Sequence, residues 1–153
     1  MTMLQLLIAL AVLASSAECE HGTLSYYAAA PTRAVIANRS VPWRTAHTLP
    51  ANHADYDGYI AVLDCDRIGE VVDVRWNGHT ARLVIFDCAG DAATRAWMRS
   101  GNVIGEVSFD VAKRWRVIGR GMRNATVCEA MPQRYIRSTI ASARDQAHNV
   151  YAP

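Results

Sequence analysis

Two short apolar runs, each followed by an aspartate, constrain the fold of this chain more than any other feature. The first covers residues 83–86 and precedes Asp87, and the second covers residues 103–109 and precedes Asp110. Continuous runs of β-branched and aromatic residues near glycine are typical of strands buried on both faces. An acid after such a strand is expected at the rim of a core, where functional sites are commonly built. We therefore predict two buried strands that end side by side and direct their acids into one groove.

Further short strands are predicted on both sides of these two runs. The predicted strands cover residues 22–27, 59–63, 70–76, 80–86, 103–108 and 125–128. The pair Asn77-Gly78 is typical of a two-residue hairpin turn and joins two of these strands. Many short strands around one chain-long core favour a mostly β fold, a small barrel rather than a sandwich.

Helices are predicted at only two places. One covers residues 91–99, and the other is opened by Asp110 as its N-cap and runs through Trp115. Trp97 and Trp115 are both expected in the core. Residues 28–31 indicate a turn, and residues 38–56 have no lasting period of 3.6 or 2, so they predict a loop.

The two ends of the chain differ from its middle. Residues 1–17 carry no charge, are apolar from Leu4 to Leu13, and finish with the small residues Ser15, Ser16 and Ala17, which is typical of a secretory signal peptide. An uncleaved anchor is the alternative. The barrel domain is expected at residues 18–128. Residues 129–153 form a C-terminal tail whose thin apolar stripe leaves a helix and a frayed terminus both open.

Four cysteines remain after removal of the predicted signal peptide: Cys19, Cys65, Cys88 and Cys128. An even number in an exported chain favours disulfides, and three pairings are possible. We favour Cys65 with Cys88, because both lie where central strands are predicted to end. This choice leaves Cys19 to join the N-terminus to Cys128.

Charge and spacing exclude several classes of partner. The net charge is +2, and no run of like charge forms the clustered basic face that nucleic-acid binding requires. His47, His53, Asp55 and Asp57 match no known metal-ligand template, so we predict no metal and no other cofactor. After signal cleavage we expect no membrane contact, a secreted or periplasmic location, and a monomer.

Several of these features occur together in one known group of proteins. The opening strand ends on Tyr26-Tyr27, the segment Thr45-Ala46-His47-Thr48-Leu49-Pro50 follows, the hairpin at Asn77-Gly78 leads to Asp87, and the strand-to-helix passage reads Ser108-Phe109-Asp110. In this order the segments resemble the double-psi β-barrels of the rare lipoprotein A, expansin and barwin-like group. The resemblance implies a six-stranded double-psi β-barrel with one or two short helices and a polysaccharide ligand.

The candidate site residues follow from the resemblance and from the chemistry of glycosidic bonds. Cleavage needs a carboxylic acid to protonate the leaving oxygen, and commonly a second carboxylate. Asp87 is the acid/base candidate, Asp110 the second acid, and His47 an aid to proton transfer or a ligand of a sugar hydroxyl. The aromatic rings that are expected to pack on sugar faces are Tyr26, Tyr27, Trp43 and Trp76.

Three functions remain open from the sequence. The first is a lytic transglycosylase-like cleavage of peptidoglycan, in which the sugar's own hydroxyl closes a ring and one acid/base suffices. The second is a non-catalytic carbohydrate-binding or wall-loosening module, favoured by the absence of any acid in residues 35–44. The third is a disulfide-linked protein ligand, for which fold analogy is the only argument.

Overall fold

Six β-strands and three α-helices form the part of the chain that this computed structural model describes, residues 18–41 and 47–130. The strands are β1 (Cys19–Tyr26), β2 (Gly58–Val62), β3 (Val71–Trp76), β4 (His79–Cys88), β5 (Val103–Val107) and β6 (Met122–Glu129). The helices are α1 (Ala29–Arg39), α2 (Ala92–Ser100) and α3 (Phe109–Arg114). The predicted signal peptide, the predicted sugar contact Trp43, and the tail beyond Ala130 lie outside the described residues.

The six strands close into a barrel, which confirms the predicted mostly β fold. Their order around the barrel is β1-β5-β2-β4-β3-β6, and β6 pairs with β1 to complete the circle. The pairs β1/β5 and β2/β4 are parallel, whereas the other four are antiparallel. Because closure leaves no unpaired edge, the short strands hold each other without a covering sheet.

Strand β4 is buried on both faces over residues 83–86, as its continuous apolar run predicts. Leu83 and Ile85 belong to the cluster of buried side chains that fills the barrel. Val84 and Phe86 point the other way and belong to a second cluster on the outside of the barrel. All four side chains are fully inaccessible to solvent. The outer cluster therefore requires a cover, and helix α1 supplies part of it.

Helix α1 occupies a stretch that the sequence predicts as a turn followed by a loop, so that prediction is wrong. Pro31 lies in its first turn, where the missing N–H would have no partner within the helix. Val35 and Ile36, one turn later, pack against the outer cluster that contains Phe86. Tertiary packing of these two side chains, rather than a strong sequence period, explains the helix.

Two disulfides connect the strands and confirm the favoured pairing. Cys19 pairs with Cys128 across neighbouring strands β1 and β6. Cys65, in a short turn after β2, pairs with Cys88 at the end of β4. Disulfides persist in oxidising compartments, so both bridges fit an extracellular location. Across residues 18–41 and 47–130, no helix has the length and apolar character needed to cross a membrane.

The two tryptophans predicted in the core have different environments. Trp115, which follows α3, is 7% exposed and packs against the interior cluster. Trp97 lies on α2 with half of its surface in solvent, so its core prediction is wrong. Met98, its neighbour, carries the buried face of that helix instead.

Candidate functional site

Asp87 is the centre of a polar cluster on the outer face of the barrel. It lies within β4, rather than after it as predicted, and its side chain is 16% exposed. One carboxylate oxygen, Oδ2, accepts a 2.8 Å hydrogen bond from the hydroxyl of Tyr27. The other, Oδ1, accepts a 2.9 Å bond from Nη2 of Arg39. Both oxygens therefore have a partner, one of them a cation.

Arg39, the last residue of α1, links this carboxylate to the loop that follows the helix. Its Nη1 donates to the backbone carbonyl of His47 at 3.2 Å. Its Nε atom is buried and has no hydrogen-bond acceptor among the described residues. The main-chain carbonyl of His47 therefore contacts the cluster through Arg39. The function of the His47 ring remains a prediction.

Tyr27 reaches the cluster from the end of β1. Its backbone N–H donates to the carbonyl of Val107 at 2.8 Å, and the edge of its ring meets Phe86 at 5.2 Å between centroids. Burial, followed by the hydrogen bond to Asp87 and the negative charges of Asp87 and Glu106, raises the pKa of Tyr27 to about 12. The phenol therefore remains a hydrogen-bond donor across the physiological range.

A second carboxylate, Glu106 of β5, shares the same face. Glu106 is in register with Ser25 on one side and with Ala61 on the other, and Ala61 is in register with Asp87. Strand neighbours lie about 4.8 Å apart, so two spacings put the Cα atoms of the two acids about 10 Å apart. The Oγ atom of Ser25 donates to Oε1 of Glu106 at 2.8 Å. We call Ser25, Glu106, Ala61 and Asp87 the acid row.

Asp110, the predicted partner of Asp87, is outside this row. Strands β4 and β5 flank β2 in opposite directions, because β4 is parallel to β2 and β5 is antiparallel to it. The prediction that the two strands end side by side is therefore wrong. Asp110 lies exposed in the first turn of α3, and the N-cap position belongs to Ser108 rather than to Asp110. A catalytic function of Asp110 stays a prediction.

The predicted aromatic contacts fall into separate regions. Tyr26 lies 6.3 Å from Phe109 between ring centroids and packs against the interior cluster. Tyr27 lies beside the acid row, where its hydroxyl donates to Asp87. Trp76 ends β3 opposite His79, which precedes Asp87 by eight residues in β4, or about 26 Å along an extended strand. Their sugar contacts remain predictions.

Glu106 and Arg39 were not among the predicted site residues. Glu106 is the one charged residue within the apolar run at 103–109, and Ala61 opposite it faces the outer cluster. A lone acid at an outward position in a strand is the signal that points to such a residue. Arg39 has no comparable signal, because its position depends on the unpredicted helix α1.

Across the part of the chain that the structure describes, no group of three or more His, Cys, Asp or Glu side chains is arranged to hold a metal ion. Comparisons with known proteins do not indicate what kind of site this is. No family model matches the chain, and neither a curated protein nor a solved structure matches it.

Proposed function

We propose that this chain is an exported barrel of the double-psi type that acts on cell-wall polysaccharide. The two parallel strand pairs in a six-stranded closed barrel support this fold assignment. The two disulfides support export to an oxidising compartment. The acid row with its partners Tyr27 and Arg39 is the observation that carries the proposal, because together they place two carboxylates, a phenol and a guanidinium on one outer surface.

The reaction proposed is an intramolecular cleavage of a peptidoglycan glycan strand. A protonated carboxyl gives its proton to the leaving glycosidic oxygen as the bond from that oxygen to the anomeric carbon breaks. The sugar's own C6 hydroxyl then bonds to the anomeric carbon, and its proton returns to the carboxylate. The products are an anhydro-sugar end and a new free hydroxyl, so water is not consumed.

The environments of the two acids suit them to different parts of this reaction. Glu106 has no ion pair among the described residues and its side chain bonds only to the hydroxyl of Ser25, so of the two acids it is the one we assign to proton transfer. Asp87 is paired with the cation Arg39 and accepts a hydrogen bond from the phenol of Tyr27, so we assign it to positioning these two groups. This assignment replaces Asp87 by Glu106 as the acid/base.

The test is release of anhydro-muropeptides from purified peptidoglycan by the full chain with both disulfides formed. We expect Glu106→Gln to lower the rate by at least about a hundredfold, the usual contribution of a general acid. Asp110→Asn is the matched control and should keep most of the rate. A result in which Asp110→Asn abolishes release and Glu106→Gln does not would overturn the acid-row assignment.

A second function, carbohydrate binding without cleavage, is favoured by the state of Asp87, the acid/base candidate from the sequence. Both of its oxygens are occupied, and only 16% of its side chain is exposed, so a substrate oxygen has little access to it. In this case the protein should sediment with insoluble glycans while no sugar end is released. Product release that depends on Glu106 would exclude this alternative.

A further inference from the structure

A cleft beside the β3–β4 hairpin is separate from the acid row. It is lined by Trp76, Asn77, Gly121, Arg123 and Asn124, and we call it the hairpin cleft. Its volume is about 380 Å³, within the range of about 300–1,000 Å³ that is usual for small-molecule sites. Trp76 and Asn77 come from the hairpin, Gly121 directly precedes β6, and Arg123 and Asn124 lie at the start of β6.

The aromatic wall of this cleft is held in place on several sides. The indole N–H of Trp76 donates to the backbone carbonyl of Arg123 at 3.1 Å. The ring lies nearly parallel to those of His79 and Trp115, with centroids 5.9 and 6.4 Å away. Trp115 is buried in the core and anchors the group. A rigid, partly exposed indole offers contact area at a small cost in conformational entropy.

The polar wall of the cleft is formed by the side chains of Asn77, Arg123 and Asn124. These side chains are exposed, and none of them makes a hydrogen bond with another described residue. Two amides and one guanidinium can together donate and accept several hydrogen bonds. Among the described residues that line the cleft none is acidic, and Arg123 is the one that carries a charge. A guanidinium fork matches the geometry of a carboxylate.

From these observations we propose that the hairpin cleft binds one sugar residue of a polysaccharide, with a carboxylate substituent placed against Arg123. The apolar face of the sugar ring lies on Trp76, and its hydroxyls meet the amides of Asn77 and Asn124. The proposal rests on the proposed function only in taking a polysaccharide as ligand. It adds a second binding position, about 26 Å along β4 from Asp87, and names the chemistry of the residue bound there.

The experiment is an NMR titration of the full chain, both disulfides formed, with trigalacturonate as the acidic probe and maltotriose as the neutral one. The indole N–H resonance of Trp76, assigned with Trp76→Phe, should shift with the acidic probe and far less with the neutral one. Trp76→Ala and Arg123→Gln should each weaken trigalacturonate binding at least about tenfold, which corresponds to about 1.4 kcal/mol. Binding should also weaken as salt is raised.

Three further variants distinguish loss of the binding site from disruption of the fold as the cause of weaker binding. Gly121→Leu adds a bulky side chain at a residue that lines the cleft and removes none. The fold should accept it, since a Cβ there would lie 3.6 Å from Cγ2 of Thr23, an ordinary contact. Gly121→Leu should weaken binding as much as Trp76→Ala does. Trp97→Ala, at a tryptophan that is 50% exposed on α2, and Arg99→Gln are the matched controls and should leave the affinity unchanged.

Two results would overturn the proposal: no shift of the Trp76 resonance with trigalacturonate, or an equal loss of affinity in Trp97→Ala and Trp76→Ala. The proposed function fails by a different readout, namely no anhydro-sugar release and no sedimentation with insoluble glycans. If the chain binds trigalacturonate through Trp76 but fails both of those assays, the result would support the ligand site in the hairpin cleft and contradict the proposed function of the acid row.

Discussion

The acid row and the hairpin cleft are two polar regions of one barrel that differ in the burial and the bonding of their charged groups. At the acid row, Arg39 and Asp87 are each 16% exposed and bonded to one another. In the hairpin cleft, Arg123 and its two neighbouring asparagines face solvent without a bond to other described side chains. Buried charges require partners, whereas exposed groups are already solvated by water. The first region should therefore matter more for stability, and the second is better suited to exchange water for a ligand.

The largest expected effect on stability comes from removing the carboxylate of Asp87. Asp87→Ala leaves Nη2 of Arg39 and the hydroxyl of Tyr27 without their acceptor in a mostly buried position, so we expect the free energy of unfolding to fall by about 3 kcal/mol. Urea denaturation followed by circular dichroism measures this change. The matched control is Asp110→Ala, at an exposed helix position, which should change stability by no more than about 0.5 kcal/mol. Equal losses in the two variants would contradict the contrast between the regions.

A smaller effect is expected at the phenol of Tyr27, and it depends on pH. Tyr27→Phe removes one hydrogen bond and should cost about 1 kcal/mol at neutral pH. The pKa of Tyr27 is about 12 in the folded chain and about 10 in an unfolded one, so folding favours the protonated form. Its contribution is fully present below pH 10 and is lost as the pH rises toward 12.

Urea titrations at several pH values between 9 and 12 would measure this dependence. Wild type should lose stability relative to Tyr27→Phe across that interval. Tyr59→Phe is the control, because burial also raises the pKa of Tyr59 but its hydroxyl contacts His53 instead of the acid row. If the wild-type and Tyr27→Phe curves stay parallel, folding does not raise the pKa of Tyr27, which contradicts the expected pH dependence.

The smallest effect is expected in the hairpin cleft. Arg123→Gln removes a guanidinium that bonds to no other described side chain, so stability should change by less than about 0.5 kcal/mol. Arg39→Gln, by contrast, leaves Asp87 without its cation and should cost several times more. The same urea assay compares the two. A large loss in Arg123→Gln would show that the cleft is structural rather than a site open to ligand.

The strands of this fold could be predicted because their signals are local. The run at 83–86 alternates between two apolar environments, and Asn77-Gly78 occupies the tight hairpin, with Asn77 at φ 46° and Gly78 at φ 79°. Asp91 likewise caps α2, since its side chain accepts from the N–H of Thr94. Each of these features depends only on residues close together in the chain.

The candidate site could be predicted only in part, because it depends on strand directions. The sequence singled out Asp87 and Tyr27, which the structure places in contact, but it paired Asp87 with Asp110, since it gave no indication that β4 and β5 flank β2 in opposite directions. Register across three strands places Glu106, rather than Asp110, in one row with Asp87. Arg39 depends further on α1, whose stability comes from packing on the outer cluster rather than from its own sequence.

The bond between Cys19 and Cys128 has a consequence for the integrity of the whole domain. It makes the backbone from the first strand to the last a covalent ring. A protease that cuts this ring once opens it but releases no fragment, because the two pieces stay attached through sulfur. After a single nick, an unreduced gel should still show one band of undiminished mass, and only a thiol reductant should separate the pieces.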